Sequence, residues 1–254
     1  MNRVPKTLLK SASSNPMITM ICDNYTTRDD LVASWGFSCL IRHEGRNILF
    51  DTGGDGIVLS ENMAKLGIEP AWIDLMMISH QHWDHTGGIY YILNAKRNLP
   101  VCVPRSFSAR FKDDMRRYGA ELIEVEKAEE ILPGLYSTGD LKGPVREQGA
   151  ILRTSAGTVV ITGCAHPGIV KILETAKKVL PDKEIALVMG GFHLFDHEDK
   201  EILKIIARFK RAGVSYTAAS HCSGENARAI FANEYGDHFI ALGAGSEITR
   251  NNLK

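Results

Sequence analysis

The chain has 254 residues, 44% hydrophobic and 24% charged, a make-up that suits a globular protein with a sizeable core. Thirty Lys plus Arg balance thirty Asp plus Glu, so no global field draws the chain to nucleic acid or to an anionic membrane surface. The five scattered cysteines include no CxxC pair, which fits thiols in a reducing, cytoplasmic setting, and no apolar run reaches the ~18 residues of a membrane span.

In chain order, "MNRVPKTLLKSASSNP" (1–16) has a basic start but no apolar stretch long enough for a secretory signal, and reads as a loose extension before a single domain over 17–254. "MITMIC" (17–22), "FSCLIR" (37–42) and "NILFDTGGDG" (47–56) predict strands with polar or Gly-rich stops. "IDLMMIS" (73–79) predicts a strand covered on both faces. "AILRT" and "TVVITG" flank "SAG" as a hairpin over 150–163, and "IALVMGG" (185–191) and "VSYTAAS" (214–220) are further strands. Helices fall between them. In "EILKIIARFKRAG", Ile202, Ile205, Ile206 and Phe209 share one face and Gly213 follows as a stop. With no internal repeat or linker, the pattern predicts one mixed α/β (α+β) domain.

"SHQHWDHTGG" (79–88) concentrates His80, His82, Asp84 and His85 in six positions of a chain with nine histidines. His80 and His82 leave the end of the preceding strand on one side, and the glycines allow a tight turn into a helix at Ile89. Imidazole nitrogens and carboxylate oxygens ligate zinc at about 2.0 to 2.2 Å. His80 and His82 can serve one metal, Asp84 and His85 a second. The alternative, histidines that cap a helix or bond within a loop, explains the clustering less well. The second half offers His166, His193, His197 and His221 besides His238. His221 ends an apolar strand, and His193 follows two glycines that permit close approach of a substrate. His43, His197 and His238 lie in charged or loop settings and read as solvated.

His-x-His-x-Asp-His after an apolar strand, preceded by "ILFDTG", resembles the metallo-β-lactamase superfamily over nearly the whole chain from about residue 17. "CDN", "WGFSCLI", "LFDTGGDG", "TGCAHPGIV", "GGFHL" and "SHCSG" resemble, within it, the subgroup named for an archaeal dihydropterin synthase of methanopterin biosynthesis. Many of its members are described only as metal-dependent hydrolases. The resemblance implies a four-layer αββα sandwich with a dinuclear site at one edge of the two sheets. It implies that Asp51 hydrogen-bonds a ligating histidine. It aligns Cys164 with the superfamily's bridging aspartate, leaving a soft thiolate ligand or a packed spectator, with the spectator favoured. It further implies His166 as a ligand, with Glu147 as the substitute candidate, and His221 as the last ligand, on the second metal.

Two metals sharing a water lower its pKa from 15.7 towards about 7, and Asp84 can both ligate and orient the hydroxide. Trp83 and Phe192 are candidates to stack a flat ring, although an aromatic next to a metal turn more often serves packing. The expectation is a metal-dependent hydrolase with two divalent ions, Zn2+ first and Mn2+, Fe2+ or Mg2+ as alternatives. Its substrate is a small molecule, one carrying phosphate or diphosphate, with neither nucleic acid nor membrane as partner and the oligomeric state open. A dihydropterin transferase releasing diphosphate is the alternative. A non-catalytic metal-binding module comes third, against which the complete motif stands. A diiron oxygen-reducing scaffold would replace His82 by glutamate and add a flavin domain.

Overall fold

The computed structural model describes residues 17–181 and 184–253. The expected extension 1–16 lies outside them. The first half runs β1 (Ile18–Cys22), β2 (Ser38–His43), β3 (Arg46–Phe50), α1 (Gly56–Lys65), β4 (Leu75–Met77), α2 (Trp83–Thr86), α3 (Ile89–Ala95), β5 (Leu99–Pro104), α4 (Ala109–Arg117) and β6 (Ala120–Val125). The second runs β7 (Glu129–Leu132), β8 (Leu135–Ser137), β9 (Ala150–Thr154), β10 (Gly157–Thr162), α5 (Ile169–Val179), β11 (Ile185–Gly191), α6 (Asp199–Ala212), β12 (Val214–Ser220), α7 (Glu225–Tyr235) and β13 (Glu247–Ile248). One sheet has the order β13-β1-β2-β3-β4-β5-β6, the other β12-β11-β10-β9-β8-β7.

Alternation along the strands builds four layers. In β3, Ile48 and Phe50 enter a core between the sheets, where Val159 and Ile161 of β10 meet them. Leu49 turns to the other face and packs with Leu59 and Met63 of α1 and Ile92 of α3. Val160 likewise turns outward to Ile172 of α5, Ile206 and Phe209 of α6, and Phe231 of α7. Each sheet therefore buries both faces, one on its partner and one on helices. This matches the αββα expectation.

The register departs from the sequence reading where function begins. The expected strand 47–56 ends at Phe50, because Asp51 adopts φ 55° and breaks the ladder. The "SAG" hairpin joins β9 to β10 as expected, pairing Thr154 with Gly157. Helix α6 begins at Asp199, with a reciprocal cap between Glu198 and Glu201, and ends at Gly213, whose φ of 76° closes it. Strands β5 to β8 add to the expected elements. His43, expected in solvent, is buried at the end of β2, because the turn after β7 brings Gly134 against its ring. His197 is half-buried beside Asp196, and exposed His238 lies over Tyr216. All five cysteines are buried free thiols, and burial pushes Cys22 and Cys102 up to about 12.

Candidate metal centre

Strands β3 and β4 run parallel, as do β10, β11 and β12, so within each sheet their carboxyl ends emerge at one edge. Asp51 follows β3, residues 79–85 follow β4, Cys164 and His166 follow β10, His193 follows β11 and His221 follows β12. Four of these exits are forced into the left-handed region: Asp51 (φ 55°), Ala165 (φ 60°), His193 (φ 53°) and His221 (φ 48°). Non-glycine residues pay conformational energy there, and such strain concentrates at functional sites. Gly163 shows how tight the convergence is, since a Cβ on it would lie 2.1 Å from Ser79 Oγ and 2.9 Å from Asp51 Oδ2.

Two groups of donor atoms result, each spanning no more than 4.8 Å: His80, His82 and His166, and beside them Asp84, His85, Cys164 and His221. The imidazole rings interlock, with His80 centred 4.2 Å from His85 and 4.8 Å from His166, and His85 5.1 Å from His221. Hydrogen bonds fix three tautomers. Ser79 Oγ donates to Asp51 Oδ2 at 2.7 Å, so it accepts from His80 Nδ1 at 2.9 Å. His85 Nδ1 donates to Asp51 Oδ2 at 2.7 Å, and His221 Nδ1 to Asn24 Oδ1 at 2.9 Å. Each ring is thereby held by Nδ1 and turns Nε2 inward, the arrangement that orients imidazole ligands. His80 Nε2 lies 3.1 Å from His82 Nδ1, and His85 Nε2 lies 3.1 Å from Cys164 Sγ. His221 Nε2 is 3.3 Å from Asp84 Oδ2.

Several supporting residues escaped the sequence reading. Trp35 Nε1 donates to Asp84 Oδ2 at 2.9 Å, although Trp35 is distant in sequence and carries no ligand chemistry. Asn24 was visible only as part of "CDN". Glu147, the substitute ligand candidate, belongs to neither donor group: its carboxylate accepts from the backbone N–H groups of Cys164, Ala165 and His166 at 2.8 to 2.9 Å. It positions the loop that carries two donors and is corrected to that role. Its neighbour Gln148 ties the sheets together beneath the site, donating to Ile78 O at 2.8 Å and accepting from Ser137 Oγ at 2.7 Å. Cys222, to which the sequence reading gave no role of its own, sits with Cys164 and His193 in a third group of donors.

The aromatic candidates divide. Trp83 is exposed beside the centre, where its ring covers Gly54. Phe192 is buried against Phe209 and Phe231, because β11 points it to the helix side, and cannot meet a ligand. Exposed Phe195 stands instead edge-on to His193 at 5.2 Å. With Trp35 centred 5.4 Å from His221, three exposed aromatics rim the centre.

Charge follows from this packing. Burial opposes ionisation of Asp84, but the His221 hydrogen bond, the charges of His85 and His221 and the Trp35 N–H hold its carboxyl well below the usual range. Burial opposes protonation of His85, yet Asp51 outweighs it and raises the imidazole to about 9. Burial, with the neighbouring imidazoles, keeps His80 well below its ordinary value and His166 at about 4. Burial raises Glu147 to about 7 in spite of its three N–H donors. His80 and His166 are thereby neutral imidazoles and Asp84 an ionised carboxylate, donors in the state a cation requires, whereas His85 must first give up a proton.

The residues fit divalent metal. His166 Nε2 and His193 Nδ1 are buried with no hydrogen-bond partner, a costly state for polar atoms that a cation nearby relieves. Comparisons with known proteins agree with the geometry. A curated protein of Methanocaldococcus jannaschii named 7,8-dihydropterin-6-methyl-4-(beta-D-ribofuranosyl)-aminobenzene-5'-phosphate synthase is 27% identical, over 84% of this chain and 89% of that protein. An uncharacterized protein of the same organism is 29% identical over 82% and 91%. The crystal structure of Tm1679, described as a metal-dependent hydrolase of the β-lactamase superfamily, superposes with a TM-score of 0.77 at 29% identity, covering 91% of this chain and 97% of that one. The profile of the Metallo-beta-lactamase superfamily matches residues 36–213, and with the sandwich and its edge-on cluster of histidines, the chain belongs to that superfamily.

Proposed function

We propose that the protein is a metal-dependent hydrolase with a dinuclear centre, acting on a small molecule that carries phosphate or diphosphate. The observation that carries this reading is the pair of adjoining donor groups. His80, His82 and His166 would hold one ion, and Asp84, His85, Cys164 and His221 the other. Cys164 would thus act as a ligand rather than a spectator, since its sulfur shares the second group with three other donors. Divalent ions bound there supply Lewis acidity and bring a water's pKa towards neutrality.

The chain's own side chains account for the rest. Asp84, kept ionised by Trp35 and His221, orients the attacking water through a carboxylate oxygen. As the water oxygen bonds to phosphorus, the bond to the departing oxygen breaks, and the water's proton ends on that oxygen. His193, 4.3 Å from His166 between ring centres, offers a hydrogen bond to the substrate at the rim. The exposed rings of Trp35, Trp83 and Phe195 suit a planar group on the substrate. That rim, with the name of the Methanocaldococcus jannaschii relative, favours a second reading: a transferase that joins a dihydropterin to an amine with release of diphosphate.

The test is metal-stripped protein reloaded with zinc or manganese and assayed on phosphodiesters, phosphomonoesters, lactones and pterin diphosphates. Metal-dependent release of phosphate or of an alcohol from phosphorus substrates supports the hydrolase. Diphosphate release that requires an arylamine selects the transferase. Turnover of lactones alone moves the substrate to carbonyl esters, and full-length protein that binds no metal sinks both readings.

A further inference from the structure

The third donor group is unexplained by a dinuclear hydrolase. Cys164 Sγ, Cys222 Sγ and a ring nitrogen of His193 lie within 4.8 Å of one another. Both cysteines are almost wholly buried, at 3% and 2% exposure, so the sulfurs face each other and the histidine rather than solvent. The Cys222 thiol makes a long contact, 3.7 Å, to the Cys164 carbonyl and interacts with the Cys164 sulfur and the His193 ring, while His193 Nδ1 is buried without a hydrogen-bond partner. The backbone is shaped around the sulfur, since a Cβ at Gly191 would lie 2.7 Å from Cys222 Sγ. At the end of β12, His221 turns through φ 48°, so that its ring serves the second donor group while the next side chain, Cys222, serves this one.

We infer that Cys222 and His193 form, with Cys164, an alternative cation position that competes with Asp84, His85 and His221 for the Cys164 sulfur. Two thiolates and an imidazole are a soft donor set and neutralise a divalent charge, whereas the neighbouring position offers a carboxylate oxygen and two imidazoles besides the shared sulfur. Zinc-type ions bind sulfur at about 2.3 Å and nitrogen at about 2.0 to 2.1 Å in tetrahedral geometry, which donors this close reach by small side-chain rotations. Thiophilic ions such as Cd2+ or Cu+ select this position, and oxygen-preferring ions such as Mn2+ select the one beside it. Occupation of the soft position withdraws both Cys164 and His193 from the proposed hydrolytic centre. Cys164 is the one metal donor shared with that centre, so the inference does not require two metals to bind there.

The experiment loads full-length protein with one equivalent of Cd2+ and counts sulfur neighbours by X-ray absorption at the cadmium edge. Two sulfurs are expected, and one or none overturns the inference without any variant having to fold. Cys222→Ser should weaken Cd2+ binding by about 10-fold or more and leave one sulfur, while Mn2+ affinity stays unchanged. Unchanged Cd2+ affinity in Cys222→Ser also overturns it. His80→Ala removes a donor of the first group alone and should keep the two-sulfur signature, so failure of the dinuclear reading is distinguishable from failure of this one.

Discussion

His80, His82 and His166 form an all-nitrogen group in which His82 and His166 remain partly open to solvent, whereas Asp84, His85, Cys164 and His221 are all buried. The open group draws two donors from one loop and the third from the loop after β10. The buried group is assembled from the loops after β4, β10 and β12, and its histidines lean on Asp51 and Asn24. Burial makes the second group dependent on the exact closure of the sandwich, because each misplaced donor there is also an unsatisfied polar atom. The first group tolerates more, since water replaces a lost partner.

The widest break in this comparison comes from Gly163→Ala, whose methyl must displace Ser79 and Asp51 and hence disturb His80 and His85 together. We expect about 1–3 kcal/mol of destabilisation from overpacking, with loss of both ions. Thermal unfolding and elemental analysis measure the two effects, and a variant holding two metals at wild-type stability contradicts the packing argument. Next come His82→Ala and His221→Ala, each expected to empty a different position and leave about one metal per chain. Retention of both metals in either variant would break the division into two groups.

Cys164→Ser sharpens the contrast within the buried group. If the sulfur is a ligand, affinity for the second ion should fall about 10- to 100-fold, and Cys164→Asp should recover part of it. Competition with a chelator reads this directly, and serine with unchanged affinity returns Cys164 to a packing role. The smallest effect is in pH. In metal-free protein His85 is raised above its ordinary 6.5 to about 9 by Asp51, so its contribution is complete below about 6.5 and is lost as pH rises through 9. Metal-free wild type should lose stability between those values relative to Asp51→Asn, and parallel pH curves for the two proteins would remove the His85–Asp51 pair as the cause. Metal binding near neutral pH should also release a proton from His85, detectable by calorimetry in buffers of different ionisation heat.

The loop after β4, which feeds both groups, was the more legible part. His80, His82, Asp84 and His85 announce themselves because ligand-type residues crowd one short loop after an apolar strand, a signal confined to neighbouring positions. His166 and His221 were nominated through resemblance and through their place at strand ends. Glu147 was nominated only as a substitute ligand or a supporting residue, because a carboxylate near a metal motif looks like a ligand in sequence, and the structure gives both its oxygens to backbone N–H groups. For Phe192 the packing reading holds, since its ring lies among Phe209 and Phe231 on the helix side, which the glycines before it left without a clear phase. Trp35 and Asn24 entered only within "WGFSCLI" and "CDN", with no role attached, and Phe195 carries no motif.

By itself the sequence determined one mixed α/β domain, through its alternation of apolar strands with amphipathic helices, and the histidine loop, through local spacing; the αββα layering came only through the resemblance. Only the tertiary structure decided which cysteines face the centre. Cys22, Cys39 and Cys102 share composition and burial with Cys164 and Cys222, but only the last two lie beyond the carboxyl ends of parallel strands, where two sheets bring sulfur within reach of imidazole. Contacts such as His85 to Cys164 join positions 79 residues apart in sequence. No local pattern encodes that distance, because it is set by the order of strands in the sheets and by the packing between them.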